Sequence, residues 1–139
     1  MIDYSKIDPS IRELVRALNA FPGVTTIGSC GGHPDPGPGQ WPEGSWYVKM
    51  KFDQNEDGWM AFEFLAWAIN RDYSSVHKVI LLPTSAPPYL NRPGHMLAFA
   101  LEGQETEADD LARFLNMVRE DSFISAEEAE QFGFEEIRP

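Results

Sequence analysis

Cysteine is almost absent from this sequence, since Cys30 is the only one in 139 residues. Charge or proline interrupts every long apolar stretch within a few residues, so none approaches the roughly 20 residues that cross a bilayer. The N-terminus also lacks the basic and apolar regions of a secretory signal. These absences exclude a membrane helix and predict a reducing, intracellular location, the cytoplasm.

Basic residues are also scarce, with 11 Lys and Arg against 22 Asp and Glu and a net charge of -11. Long nucleic acids are bound through many phosphate contacts, which need a basic face. Binding to bulk nucleic acid is therefore not expected, whereas a few local charges could still hold a small anionic ligand. Residues 104–139 carry 11 acidic and only 3 basic residues, and we predict that they form an acidic, helical C-terminal segment.

The length and the hydrophobic content of 42% predict one compact domain that spans residues 1–139. Short strand-like segments and amphipathic segments follow one another in the order α-β-β-α-β-β-α-α, without an internal repeat. The predicted fold is α/β (α+β), with a mixed or antiparallel sheet of four or more short strands and helices packed on it. The sequence leaves homo-oligomerisation open.

The first half of the chain contains one predicted helix and two predicted strands. Asp8 offers an N-cap carboxylate before Pro9, so the first helix should run from Asp8 to about Ala20. Residues 24–27 are β-branched and predict a short strand, and the Gly- and Pro-rich residues 31–42 predict a long loop. The next strand alternates between two faces. Its predicted core face contains Trp46, Val48, Met50 and Phe52, and its second face Tyr47, Lys49 and Lys51.

The second half contains two further strands and two further helices by the same reasoning. Asp57 is the predicted cap of the second helix, whose apolar stripe consists of Trp59, Phe62, Leu65, Ala66 and Ile69. Val76–Leu82 is apolar enough for a central strand, and Met96–Leu101 predicts another strand. Glu105–Glu120 predicts the third helix, and residues 125–128 have the spacing of a capping box for a short last helix.

The segment Thr25–His33 concentrates hydroxyls, glycines, one thiol and one imidazole between a strand and the Pro/Gly loop. Its glycines allow a sharp turn from Ser29 to His33 that brings backbone N–H groups close to a ligand, as in anion-binding nests. The segment is neither a Walker A loop nor a Gly-x-Gly-x-x-Gly fingerprint. We therefore predict a ligand cradle of a different kind at this turn.

Several residues outside this segment could complete the cradle. Lys49 and Lys51 could pair with phosphate or carboxylate, or else form a solvated face. Arg92 suits bidentate recognition of an anion, or else is an exposed charge in a loop. Trp41 could cover a ligand ring, or else only cover a hydrophobic edge of the protein. The predicted ligand-binding residues are Thr26, Ser29, Cys30, Gly31, Gly32, His33, Trp41, Lys49, Lys51, Arg92 and His95.

Cys30 and His33 have the Cys-x-x-His spacing of two zinc ligands, for which His77 or His95 would be a third. A second such pair is missing from the sequence, so we expect no metal site. A cysteine nucleophile would need His33 as its base and an orienting third group, which the sequence does not identify. No catalytic residue is therefore assigned. Alternatively, Cys30 packs as a small buried residue and His33 hydrogen-bonds within a turn.

One part of the sequence resembles a known family. The matching residues are Ile7-Asp8-x-x-Ile11-x-x-Leu14-Val15-x-x-Leu18-Asn19, followed by Pro22-Gly23-Val24-Thr25-Thr26-x-x-Ser29-Cys30-x-Gly32. They resemble the N-terminal signature of the wybutosine-synthesising tRNA methyltransferase family. The resemblance implies a compact α/β fold, S-adenosylmethionine as the cofactor, and a functional cleft at Ser29 and Cys30.

These features together predict a domain that binds a small nucleotide or nucleoside-like ligand at the turn of residues 29–33. Such a domain could sequester a signalling nucleotide. One alternative, implied by the resemblance, is an S-adenosylmethionine-dependent methyltransferase related to tRNA wybutosine synthesis. The other is an acidic protein-interaction module in which the C-terminal third meets a basic partner.

Overall fold

The computed structural model describes residues 2–83, 97–123, 127–128 and 131. Its strands are β1 (Val24–Cys30), β2 (Ser45–Phe52), β3 (Val79–Pro83) and β4 (Leu97–Gln104). Its α-helices are α1 (Arg12–Asn19), α2 (Glu56–Ala66) and α3 (Ala108–Ser122). Short 3₁₀ turns lie at Tyr4–Lys6, Pro9–Ile11 and Tyr73–Ser75, and a π-helical turn lies at Trp67–Asp72. The order of these elements agrees with the predicted order as far as the described residues reach.

The four strands form one antiparallel sheet in the order β1-β2-β4-β3. With helices packed on this sheet, the predicted α+β fold is confirmed. The prediction of a central strand at Val76–Leu82 is wrong, because β3 begins only at Val79 and lies at the edge of the sheet. Val76 is 78% exposed and precedes the strand. An apolar run does not by itself distinguish a central strand from an edge strand that packs on helices through one face.

The core lies between the helices and one face of the sheet. The alternation of β2 is confirmed, because the side chains predicted to point inward are all buried: Trp46, Val48, Met50 and Phe52. The helices add large aliphatic side chains to the same cluster, among them Leu14, Leu18, Leu65, Ile69, Leu111 and Leu115. Each fully buried side chain of this size contributes about 1.5–3 kcal/mol of transfer free energy. The cluster is therefore the main source of stability.

The second helix differs from its prediction in its cap and in part of its apolar face. Asn55, not Asp57, is the N-cap residue, and its Oδ1 accepts a hydrogen bond from the backbone of the first turn at 2.9 Å. Leu65 is fully buried as predicted, whereas Trp59 is 50% exposed. The indole lies at the margin of the stripe and packs in a T-shaped arrangement with Phe62, with ring centroids 6.2 Å apart.

Three further element boundaries differ from the sequence-based expectation. β1 continues to Cys30 because its last residues pair with β2, so Ser29 and Cys30 belong to a strand and not to a turn. β4 extends to Gln104, and α3 begins after Glu105, whose φ of 53° is incompatible with a right-handed helix. Ser125 of the predicted capping box lies outside the described residues. Within the described ranges, no helix combines the length and the apolar character needed to span a membrane.

Candidate functional site

A β-bulge in β1 determines which face of the sheet carries Cys30. Thr26 is paired with Met50 on the core face, whereas Cys30, four residues later, is paired with Tyr47 on the opposite face. The register shifts at Ile27, the extra residue of the bulge. Because directly paired side chains of antiparallel strands project to the same face, the bulge moves Cys30 away from the helices.

The Pro/Gly loop folds over Cys30 and Tyr47. Cys30 is only 3% exposed, and its Sγ accepts a hydrogen bond from the backbone N–H of Trp41 at 3.3 Å. The rings of Trp41 and Tyr47 have centroids 5.0 Å apart, and the Tyr47 hydroxyl donates to the carbonyl of Gly39 at 2.8 Å. Cys30 is therefore buried beneath the loop, outside the main core cluster.

His33 is held by backbone hydrogen bonds on both sides. Its N–H donates to the carbonyl of Trp41, and its carbonyl accepts from the N–H of Glu43, both at 2.9 Å. Gly32 makes the preceding turn possible, since its φ is +93° and a Cβ atom there would lie 2.5 Å from the carbonyl oxygen of Ser45. The backbone of His33 thus has a defined position beside the end of β1.

Asp8 is the site residue that sequence reasoning missed. Its carboxylate forms no cap bond to the 3₁₀ turn that follows. Instead, Oδ2 accepts the N–H of Gly31 at 2.8 Å and lies 3.1 Å from Nε2 of His33. The Gly31 N–H that was predicted to face a ligand therefore has an internal partner. The sequence predicted Asp8 as a helix cap because it precedes Pro9. No local pattern indicates that its carboxylate contacts residues more than 20 positions away.

The described residues contain one group of three side chains whose donor atoms could hold a metal ion: Asp8, Cys30 and His33, with all donor atoms within 4.8 Å of one another. His77 is not part of it, because its ring stacks on Tyr73 at 4.1 Å. Burial raises the pKa of the Tyr47 hydroxyl above its ordinary value, and the nearby Cys30 and Asp8 raise it further. The phenol therefore stays neutral beside the cluster at neutral pH.

Lys49 and Lys51 follow Tyr47 on the same face of β2, as the strand alternation predicted. The ammonium group of Lys49 lies 5.5 Å from the centroid of the Tyr47 ring, within range of a cation–π contact. Ala100 and Ala98 of β4 are their partners across the sheet. Ala100 is itself buried, and Glu102 is the partner of Tyr47 on the same face. This face of the sheet therefore carries two ammonium groups, one carboxylate and the aromatic pair of Trp41 and Tyr47.

Thr26 and Ser29 do not belong to this surface. Thr26 is bonded to Asn19 at the end of α1, with its hydroxyl accepting from Nδ2 at 2.9 Å and its N–H donating to Oδ1 at 3.1 Å. Ser29 is paired with Val48 on the core face. The structure therefore brings Cys30, Gly31, Gly32, His33 and Trp41 together, with Lys49 and Lys51 next to them. Arg92 and His95 lie outside the described residues.

A cleft of about 360 Å³ borders Gly31 on the other side, towards the helices. Ser10 and the start of α3 line it, together with the carboxylates of Glu105 and Glu107. Lys78 pairs with Glu105 at 2.9 Å, so Glu107 is the acidic residue that disfavours an anionic ligand in this cleft. The lysine-bearing face of the sheet is therefore the better location for an anion.

Comparison of the chain with protein-family models, with curated proteins and with solved structures gave no match. The resemblance to the wybutosine-synthesising tRNA methyltransferases thus stays a prediction from the sequence. The structure gives several of the resembling residues a local role. Asn19 and Thr26 tie α1 to β1, and Asp8 ties the start of the helical region to Gly31.

Proposed function

We propose that this protein binds a small nucleotide-like ligand on the sheet face that carries Tyr47, Lys49 and Lys51. One observation carries the proposal: the register of β2 aligns the two lysines with Tyr47, and the Trp41 ring lies against Tyr47 at 5.0 Å. Aromatic rings provide stacking platforms for nucleobases, and ammonium groups pair with phosphate. The surface offers both kinds of contact.

The size of the ligand follows from the distribution of charge. Two neighbouring lysines can pair with one or two phosphate groups, but the chain carries a net charge of -11. A polynucleotide that extended beyond this face would meet an acidic protein and would be repelled. A mononucleotide or a short cyclic or linear dinucleotide is small enough to place its phosphates beside the two lysines.

Calorimetric titration of the full chain tests this proposal. The panel consists of adenosine, AMP, cyclic AMP, inorganic phosphate and S-adenosylmethionine, with all titrations made in the presence of a chelator. We expect AMP or cyclic AMP to bind more tightly than either adenosine or phosphate alone, because the surface contacts both parts of a nucleotide. Tightest binding of S-adenosylmethionine would instead favour the methyltransferase function that the resemblance implies.

Variants locate the ligand on the surface. The double substitution of Lys49→Ala and Lys51→Ala should weaken nucleotide binding by about tenfold or more, with a smaller effect on adenosine. Trp41→Ala should weaken both by about tenfold, since stacking contributes about 1–3 kcal/mol per base. Lys78→Ala and Trp67→Ala are the matched controls. Lys78 is paired with Glu105, and Trp67 is half exposed in the turn after α2. Equal effects of the control variants, or no binding of any ligand in the panel, would contradict the proposal.

A further inference from the structure

We propose that Asp8, Cys30 and His33 form a binding site for a divalent transition-metal ion, with zinc as the ion that best suits these donors. The site lies under the Pro/Gly loop, at the end of β1. This inference does not rest on nucleotide binding, because it concerns different side chains from the lysine-bearing surface.

The distances between the donor atoms suit a tetrahedral ion. Ligands at about 2.0–2.3 Å from zinc are about 3.3–3.5 Å apart at the tetrahedral angle. Oδ2 of Asp8 and Nε2 of His33 are already 3.1 Å apart, and the three donor atoms lie within 4.8 Å of one another. The donor–donor distances would therefore have to shorten by about 1.5 Å at most for all three atoms to bind one tetrahedral ion.

The donor atoms of Asp8 and Cys30 accept backbone hydrogen bonds, and the backbone of His33 is itself held by two. The N–H of Gly31 holds the Asp8 carboxylate, and the N–H of Trp41 points at the sulfur of Cys30. The backbone N–H of His33 donates a hydrogen bond to Trp41, and its carbonyl accepts one from Glu43. The sulfur of Cys30 and the carboxylate of Asp8 are thus oriented before an ion arrives, so binding requires little ordering.

The chemistry of the donors favours zinc over harder or softer ions. A thiolate, an imidazole and a carboxylate together are typical of Zn²⁺, whereas Ca²⁺ and Mg²⁺ prefer sites made of oxygen atoms. Three protein ligands leave the fourth position to water or to a ligand, as in open zinc sites. With Asp8 and Cys30 ionised and His33 neutral, a divalent ion leaves the site with no net charge, so the ion cancels the two negative charges that binding brings together.

The same three residue types also occur in cysteine hydrolases, and burial distinguishes the two functions. Cys30 is 3% exposed beneath the loop, which is unfavourable for a nucleophile that must reach a substrate. The side chains of Asp8 and His33 are 35% and 31% exposed. An ion can therefore approach from their side, whereas Sγ offers almost no surface to a substrate carbonyl.

The decisive experiment uses the purified full chain, stripped with a chelator and titrated with Co²⁺ and then with Zn²⁺. We expect one equivalent of Co²⁺ to produce the d–d bands of a tetrahedral site together with a thiolate-to-cobalt charge-transfer band. One equivalent of Zn²⁺ should remove these bands. Elemental analysis after gel filtration should give one zinc per chain. A wild-type protein that shows no charge-transfer band, or that retains no zinc, would overturn the proposal without any variant.

Variants assign the ligands. Cys30→Ser should abolish the charge-transfer band, and Asp8→Ala or His33→Ala should weaken Zn²⁺ binding by more than about 100-fold. His77→Ala and Asp53→Ala are matched controls away from the cluster and should bind zinc like the wild type. Circular dichroism of each metal-free variant confirms its fold before titration. Zinc retained at one equivalent by both Cys30→Ser and His33→Ala would place the ion elsewhere and contradict the assignment.

A second measurement separates a zinc ligand from a nucleophile. In the metal-free protein, Cys30 should react slowly with iodoacetamide, and Zn²⁺ should slow the reaction further by at least about tenfold, since a metal-bound thiolate is shielded. Rapid alkylation that Zn²⁺ does not change would oppose the metal site. Because the nucleotide titrations are made with chelator present, failure of one proposal leaves the result for the other unaffected.

Discussion

The side-chain amide of Asn19 is bonded to Thr26 at two points, to its hydroxyl at 2.9 Å and to its backbone N–H at 3.1 Å. The same amide also donates to the carbonyl of Val15 at 3.0 Å. Asn19 ends α1, and Thr26 lies in β1 just before the bulge. This single side chain therefore fixes the end of the helix against the strand that leads to the candidate site.

Substitution of Asn19 should destabilise the fold without changing the site directly. We expect Asn19→Ala to lower the free energy of unfolding by about 2–3 kcal/mol, because three hydrogen bonds are lost and the N–H of Thr26 is left without its partner. Thr26→Val removes only the bond to the hydroxyl and should cost about 1 kcal/mol. Urea denaturation followed by circular dichroism measures both values. A loss within about 0.5 kcal/mol for Asn19→Ala would show that the contact is not important for stability.

Two glycines of the Pro/Gly loop allow a matched comparison of strain and steric clash. Gly32 and Gly39 have φ values of +93° and +76°, but a Cβ atom clashes with Ser45 only at Gly32 and meets open space at Gly39. Gly39→Ala should therefore cost about 1 kcal/mol, the penalty of the left-handed conformation alone. Gly32→Ala should cost about 3 kcal/mol or more, since the clash adds to the strain. Thermal or urea unfolding checks the difference, and equal losses would contradict the turn described for Gly32.

Two tyrosines should make the fold sensitive to alkaline pH. Burial raises the pKa of both Tyr47 and Tyr73 above the ordinary value of 10.0, with nearby Asp110 also raising that of Tyr73 against the opposing effect of Arg113. The folded chain then holds these protons more tightly than the unfolded chain. Their stabilising contribution is complete below pH 10 and is lost as the pH rises from there through the raised values.

This pH dependence can be measured by urea denaturation at a series of pH values from neutral to alkaline. The wild type should lose stability above pH 10 more steeply than the double variant with Tyr47→Phe and Tyr73→Phe, which has neither phenol to ionise. Spectrophotometric titration of tyrosinate in the folded chain gives an independent test. Identical alkaline slopes for the wild type and the double variant would contradict the effect of burial.

The local elements could be predicted because their signals are local. The alternation of residues 46–52 and the helical stripes around Leu14 and Leu65 follow from periods of 2.0 and 3.6 residues that a core imposes on any chain. The glycines and prolines of residues 31–42 likewise predicted an irregular loop, because backbone constraints act within a few residues. The prediction that Trp59 is buried was wrong, because periodicity does not show how much of a side chain at the edge of the apolar stripe is covered by its neighbours.

Some residues of the candidate site could also be predicted from local patterns, whereas others could not. Cys30 and His33 could be singled out as candidates from the sequence, because a thiol and an imidazole among glycines form a local pattern. The contact of Asp8 with Gly31 and His33 follows from the folded chain alone, since it depends on how the start of the helical region packs against the end of β1. The fold likewise sets the face on which Cys30 lies. That face depends on a bulge at Ile27, and a bulge is set by pairing with a second strand, which no residue specifies alone.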